Sequence, residues 1–307
     1  MSKILFRGFD LLPKRVVGYG DIFIYSLACY LKGKKRNYDN IDIIFPRFGY
    51  DNRWIIPKRD QVWQKTEFLP WTWISRESKI NENDYDCIVY TNKKNSFYKG
   101  YPGLNSSGRF FYAYLDIYYK LTGKEPVLDI PREKQNKPYI LLQYREVNGR
   151  KSEIRNTNIE RLLKLYDVIK EKYGNRFLYY KIGEPSPIDD KFDKSIPLMY
   201  GNIDGFSKLV RNSSLMISGH SGPQNFSLCF PDIPTIRLDI RNEWNPRDPF
   251  HWKNQVGSLS SIIPFHPLWC NDRIFDIDFN DDIKKERIFS FLDEQKLYGG
   301  QYDKNKV

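Results

Sequence analysis

Short apolar runs alternate along this chain with stretches of helical periodicity, and the alternation occurs twice in succession. Such a chain folds around parallel sheets, because each helix carries it back to the starting edge before the next strand begins. Ile4-Leu5-Phe6 and Arg15-Val16-Val17 are the first strand candidates. After Gly18-Tyr19-Gly20-Asp21, the run from Ile22 to Leu31 is apolar nearly all round, which marks a buried helix. Lys32-Gly33-Lys34-Lys35-Arg36 is expected to end it, with cations at its negative pole. Ile41-Asp42-Ile43-Ile44-Phe45 then reads as a strand closed by Pro46, completing a βαβ unit.

The second alternation follows a polar, proline-punctuated stretch over residues 124–138, which reads as a linker. Tyr139-Ile140-Leu141-Leu142-Gln143 is a buried strand, and Thr157-x-x-Glu160 has the form of a capping box. Ile159, Leu162, Leu163, Tyr166 and Ile169 make one helix face that Gly174-Asn175 stops. Phe177-Leu178-Tyr179-Tyr180 is the next strand, and Asp204 is expected to cap a short helix through Phe206, Leu209 and Val210. Leu215-Met216-Ile217 and Thr235-Ile236-Arg237-Leu238 are further strands. The expectation is an α/β chain of two facing parallel-sheet domains, residues 1–130 and 131–290, with 291–307 as a tail. Residues 281–297 carry an amphipathic helical pattern, and no repeat of 20–50 residues is visible.

Between the two alternations, residues 47–83 read as irregular and hold Trp54, Trp63, Trp71 and Trp73. These aromatics suit either stacking on a sugar or pinning loops to the core. Cys87-Ile88-Val89-Tyr90 reads as a strand, residues 91–109 as loop, and Phe110 to Leu121 as a helix stopping at Gly123. The 307 residues contain no apolar run near the ~20 needed to span a bilayer, and the N-terminus lacks a signal-peptide pattern. A soluble, cytoplasmic protein is the expectation. Cys29, Cys87, Cys229 and Cys270 lie far apart among apolar neighbours and read as core thiols of a reducing compartment. Asn105, Asn212 and Asn225 head glycosylation sequons, which this setting gives little weight.

Net charge is +11. Residues 1–130 hold 21 Lys and Arg against 14 Asp and Glu, a net +7, and the remainder 28 against 24, a net +4. An N-terminal basic excess suits an anionic glycan, a lipid head group or a nucleic acid; a merely solvated basic surface explains it equally.

Chemistry concentrates in Ser218-Gly219-His220-Ser221-Gly222-Pro223-Gln224-Asn225-Phe226. An apolar strand precedes it and a short buried helix, Phe226–Phe230, follows. Two glycines allow close backbone approach, Pro223 suits a first helical position, and free helix N–H groups would face an anion on the loop. The plain alternative is an ordinary βα turn. Arg145, beyond the strand 139–143, and Lys181, beyond 177–180, are cations at the carboxyl ends of strands, where ligands of such sheets bind. Asp21 suits either a general base or a helix N-cap.

Gly20-Asp21-Ile22, Ser26-Leu27-Ala28 and the strand 41–45 resemble the N-terminal pattern of bacterial lipopolysaccharide heptosyltransferases, glycosyltransferase family 9. His220-Ser221-Gly222-Pro223-Gln224-Asn225, with Pro234-Thr235-Ile236 after it, resembles that family's donor loop, Asp-Thr-Gly-Pro-x-His. The chain departs from the pattern at His220, at Asn225 and in the Trp-rich insert, and only about twenty positions are motif-like. The resemblance implies two Rossmann-like domains in the GT-B arrangement and metal-independent transfer from a nucleotide-sugar to a glycan or lipid-linked acceptor. No cofactor beyond that co-substrate is implied. It makes Asp21 the catalytic base and places Gly183-Glu184 at the donor ribose, although a solvated loop glutamate fits equally. Arg145, Lys181, Gly219, His220, Ser221, Gly222 and Asn225 complete the expected donor site. The basic N-terminal part then favours an anionic acceptor and peripheral contact at the inner membrane surface, with nucleic acid the less favoured partner. Neither Asp84-Tyr85-Asp86 nor Asp276-Ile277-Asp278 has the flanking pattern of a metal-binding transferase motif, so no metal site is expected. A non-catalytic basic binding module, a nucleotide-sugar epimerase and a pyruvyl-type transferase are the alternative readings on the same fold.

Overall fold

The computed structural model describes residues 1–7, 19–44, 66–74, 79–90, 121–124, 127–146, 156–197, 203–219, 224–230, 232–240, 272–295 and 297. Two units divide the chain: Met1–Pro126 with Met199–Lys208, and Val127–Leu198 with Leu209–Val307. Residues 199–208 thus belong to the first unit.

The first unit holds strand β1 (Lys3–Phe6), helix α1 (Tyr19–Lys35), and strands β2 (Asn40–Ile44), β3 (Thr72–Ile74) and β4 (Cys87–Val89). All pairings are parallel and the order is β3-β2-β1-β4, so the connections reverse direction at β1. α1 runs through Gly33 and ends at Lys35, within the stretch 32–36 expected to end it. A Cβ at Gly33 would lie 2.8 Å from the Ile41 side chain, so glycine lets the helix press against β2. The stop comes at Asn37, which takes φ 61; its N–H bonds the Lys34 carbonyl and the Tyr38 N–H bonds the Gly33 carbonyl. That pair of bonds is a Schellman ending, with asparagine in place of the usual glycine.

Part of the irregular Trp-rich segment is the third strand. Trp73 is buried on β3 and its Nε1 donates to Ser26 Oγ at 2.8 Å. Trp71 packs 6.1 Å from Phe23 and 5.8 Å from Tyr30, ring to ring. Both indoles therefore serve the core. The expected strand at residues 15–17, the loop at 91–109, Trp54, Trp63, and the expected helix from Phe110 to Lys120 lie outside the described residues.

The second unit contains β5 (Tyr139–Tyr144), α2 (Ile159–Tyr173), β6 (Leu178–Gly183) and β7 (Lys194–Ile196). Helix α3 (Ile203–Arg211) begins in the first unit and ends in the second. β8 (Leu215–Ser218), α4 (Gln224–Leu228), β9 (Thr235–Ile240), β10 (Ile274–Asp278) and α5 (Lys285–Glu294) follow. The sheet is wholly parallel, in the order β10-β9-β8-β5-β6-β7. Counted from its first strand, this is the 3-2-1-4-5-6 order of doubly wound nucleotide-binding sheets. β7 and β10 were not anticipated from the sequence. Ile140, Leu142, Ile217 and Ile236 form one continuous core with Leu162, Leu165, Tyr166 and Ile169 of α2 and Ile288, Phe291 and Leu292 of α5. The expected tail from 291 is thus anchored by Phe291, Leu292 and Leu297, all buried.

Two expected caps are used differently. The α2 cap is Asn158, whose side chain accepts from the Glu160 and Arg161 N–H groups. Asp204 sits inside α3, and its carboxylate accepts the backbone N–H groups of Glu67, Phe68 and Leu69, the last at 2.8 Å. The stretch after Pro126 packs onto the second unit: Leu128 is buried, and Arg132 bonds Asp232 and the Ser213 carbonyl.

Candidate functional site

In the second unit the chain leaves β5 toward β6 and returns at β8 on its other side, so loops at the two carboxyl ends diverge there. Doubly wound sheets bind their ligands in the crevice this opens. Ser218 Oγ, at the end of β8, donates to Gln143 Oε1 near the end of β5, tying the two strands together below the opening. Gly219 follows. It needs no left-handed backbone, and a Cβ there would meet the Leu238 carbonyl at 3.6 Å, an ordinary contact. α4 begins one residue after Pro223. His220, Ser221 and Gly222 lie outside the described residues, as do His251 and His266 and the side chain of Asn225.

Gln224 was not anticipated as a functional residue. Its side chain is completely buried at the head of α4, and neither Oε1 nor Nε2 has a hydrogen-bond partner. Each such group costs about 1–3 kcal/mol relative to a satisfied one. The one available signal was a glutamine two residues ahead of the mostly apolar residues Phe226–Phe230.

Arg145 stands just past β5, half-buried. Its backbone is held on both sides by Thr157: the Arg145 N–H donates to Thr157 Oγ1 and the Arg145 carbonyl accepts the Thr157 N–H, each at 2.9 Å. The threonine read as a helix cap therefore fixes the loop that presents Arg145.

β6 runs three residues past its expected end at Tyr180, to Gly183, so Lys181 lies within the strand. Lys181 is fully buried, and its ammonium reaches the Glu184 carbonyl at 2.5 Å, Ser186 Oγ at 3.1 Å and the Asp189 carboxylate. An ammonium has three protons, and three acceptors meet them. Expected as a cation near the diphosphate, Lys181 here uses its charge inside the turn. Burial raises the Asp189 carboxyl, but hydrogen bonds from Lys181 and Ser186 outweigh it and hold the group below its ordinary value.

Gly183 takes φ 131, and a Cβ there would lie 1.7 Å from the Tyr144 carbonyl. Glu184, next along, points one carboxylate oxygen at the Glu146 N–H, 3.3 Å away. Tyr144 donates its hydroxyl to Glu146 at 2.6 Å, and burial first, then Glu146, pushes that phenol up to about 12. The ends of β5 and β6 therefore bring Arg145, Glu146 and Glu184 together.

In the first unit the direction reverses between β1 and β4. Arg7 crosses that point: its N–H donates to the Val89 carbonyl at 2.8 Å, and its guanidinium pairs with Glu82 and lies 5.9 Å from the Tyr90 ring. Arg7 was not anticipated, although a cation directly after a strand was its signal. Asp21 is the third residue of α1, within its first turn rather than ahead of it, so it is not the N-cap. Because α1 joins the parallel strands β1 and β2, that turn belongs to the carboxyl-end side of the sheet. The Asp21 side chain lies outside the described ones.

Both Asp-x-Asp triplets have structural work. Asp86 accepts the Lys3 N–H at 2.7 Å and Asp84 the Asn81 amide at 2.9 Å. Asp276 forms a two-point pair with buried Arg237, and Asp278 accepts the Asn280 N–H. Among the described residues no group of three His, Cys, Asp or Glu is placed to hold a metal, and no helix is long and apolar enough to cross a membrane. Cys29, Cys87 and Cys229 are free thiols; Cys270 lies outside the description. Asn212 is buried against Glu133, which removes that sequon from reach of a glycosylating enzyme.

The strand orders define a protein of two parallel-sheet α/β units, the second in the 3-2-1-4-5-6 order. No protein-family model and no curated protein matches the chain by sequence. Among solved structures, it is similar to the Escherichia coli ADP-heptose lipopolysaccharide heptosyltransferase II at 11% identity, covering 95% of this chain and 98% of that one, TM-score 0.48. It is similar to the E. coli heptosyltransferase WaaC with ADP at 10% identity, 96% and 100% coverage, TM-score 0.46. The dodecameric, iron-containing glycosyltransferase TibC of enterotoxigenic E. coli gives 11% identity and TM-score 0.43, and this chain spans 57% of its length. These proteins are heptosyltransferases or glycosyltransferases. The α/β fold itself is given by the two strand orders.

Proposed function

We propose that this chain is a glycosyltransferase that moves a sugar from a nucleotide-activated donor to a glycan or lipid-linked acceptor. The observation that carries the reading is the 3-2-1-4-5-6 sheet of the second unit, in which Arg145 and Gly219 follow β5 and β8, where the strand order reverses, and Glu184 follows the neighbouring β6. The motif resemblance at Gly20-Asp21 and at His220–Asn225 supports transfer rather than nucleotide binding alone. In this reading the acceptor hydroxyl oxygen bonds to the anomeric carbon as the carbon–oxygen bond to the diphosphate breaks. Asp21 takes the hydroxyl proton, and the nucleoside diphosphate leaves with the bonding pair. Arg145 and the backbone N–H groups of the loop after β8 meet the growing charge, so the reading requires no metal and no cofactor beyond the donor. The basic excess of residues 1–130 suits an anionic acceptor and peripheral contact with a membrane surface.

A thermal-shift panel of nucleoside diphosphates tests donor binding. A ligand held by the folded state alone at 100 times its dissociation constant stabilises by about 2.7 kcal/mol, a shift of several degrees. With the donor base identified, Asp21→Asn is expected to leave the shift intact and lower sugar transfer by about 100-fold or more. Wild-type turnover in that variant rejects Asp21 as the base. No shift with any nucleotide, together with salt-sensitive binding to RNA or DNA, rejects the transferase in favour of a basic binding module.

A further inference from the structure

We propose that Lys181 is a positioning residue: its buried ammonium shapes the turn 184–189 so that Glu184 faces the ribose of a bound nucleotide, making the site selective for a free 2′-hydroxyl. The inference deepens the nucleotide-binding reading and rests on it. Four observations support it. The segment after β6 reads Glu184-Pro185-Ser186-Pro187-Ile188-Asp189, and its two prolines have no N–H to anchor it. The turn is held instead from below, by the three contacts of Lys181 to Glu184, Ser186 and Asp189. The Tyr144 ring closes over the ammonium, 5.1 Å from its centre, so the lysine is sealed from solvent. Within the turn, Ser186 donates its hydroxyl to Asp189 at 2.8 Å, and Asp189 also accepts the Ser186 N–H at 3.2 Å, closing a compact knot.

Position gives this knot its consequence. β6 is the second strand of the sheet in sequence order and neighbours β5. In doubly wound sheets an acidic side chain at the end of that strand accepts from a ribose hydroxyl. Glu184 occupies the place, and the Glu146 N–H holds only one of its carboxylate oxygens, leaving the other as an acceptor. Lys181 bonds the carbonyl of Glu184 itself, so the ammonium fixes the backbone from which that carboxylate projects.

The test measures dissociation constants for whichever of ADP, UDP, GDP and CDP the intact chain binds best, and for its 2′-deoxy counterpart. Wild type is expected to prefer the ribonucleotide by about tenfold or more, the range of one hydrogen bond to a charged group. Lys181→Met is expected to bring that preference within about twofold, as is Glu184→Ala, and the double variant should lose no more than either single one. Asp189→Asn, which keeps Lys181 and alters only a half-exposed partner, should lower the preference partway and serves if Lys181→Met does not fold. Phe291→Leu, a core substitution remote from the turn, should leave the preference unchanged while lowering stability. A folded Lys181→Met or Asp189→Asn variant that retains the full wild-type preference overturns the inference and leaves the nucleotide-binding reading standing. A wild type that binds no nucleotide overturns both.

Discussion

Gly183 shows how little room a single position can have. Its φ of 131 lies where side chains are strained, and a Cβ would fall 1.7 Å from the Tyr144 carbonyl on the paired strand. Relief requires β6 to move away from β5, which breaks the parallel ladder at the edge of the crevice. Gly183→Ala is therefore expected to cost about 3 kcal/mol or more, read as a lowered urea midpoint, and to weaken the proposed nucleotide binding in whatever protein remains folded. Asp204 makes the complementary point: residue type alone suggested a cap, but its carboxylate gathers three N–H groups of residues 67–69, more than 130 positions away in sequence.

At the scale of elements, α1 owes its length to a contact that helical propensity opposes. Glycine inside a helix is about 1 kcal/mol worse than alanine. Gly33 is nevertheless inside, because the space beside it is filled by Ile41 of β2 and lies 3.5 Å from Ile4 of β1. Gly33→Ala is expected to destabilise by about 1 kcal/mol net, since overpacking costs about 1–3 and the better helix former returns about 1. Ile41→Val shortens the obstructing side chain, so the double variant should cost less than the two singles added. Strict additivity in urea denaturation would show that the contact does not limit the helix. The same rule separates readable elements from unreadable ones. Strands β1, β2, β5 and β8 are apolar runs bounded by turn residues and were legible. β3, β7 and β10 are short or mixed in polarity, and neighbouring strands rather than their own composition make them strands.

For the whole molecule, acid is the condition under which paired carboxylates lose their partners. Burial raises the Asp232 carboxyl, but attraction to Arg132 and Arg211 and their hydrogen bonds outweigh it, so it titrates lower in the folded chain than in the unfolded one. Asp189 is held low in the same way. A carboxyl depressed on folding contributes stability that is present above its unfolded value, about 3.9, and is lost as pH falls through its folded value. Urea midpoints are therefore expected to hold from pH 7 to about 5 and to fall below pH 4, and Asp232→Asn should flatten that limb. In alkali the sign reverses. Burial raises Tyr139 and Tyr179 and pushes Tyr173 up to about 12, so the unfolded chain releases protons first and stability declines above about pH 10. An acid limb unchanged in Asp232→Asn would remove that carboxylate from the account.

By itself, the sequence determined the features that depend on near neighbours. The strand–helix alternation set the fold class. It placed Arg145 and Gly219 at the carboxyl ends of β5 and β8, and Gly174 at the end of α2. Only the tertiary structure decided what the side chains there are for. It turned Lys181 inward to Ser186 and Asp189, moved Thr157 from a helix cap to the Arg145 backbone, and sent Asp204 to residues 67–69. A turn or a cap forms between residues a few positions apart, so its chemistry is written locally. The partner of a buried charge is chosen by which strands lie side by side, and the strand order fixes that through contacts far apart along the chain.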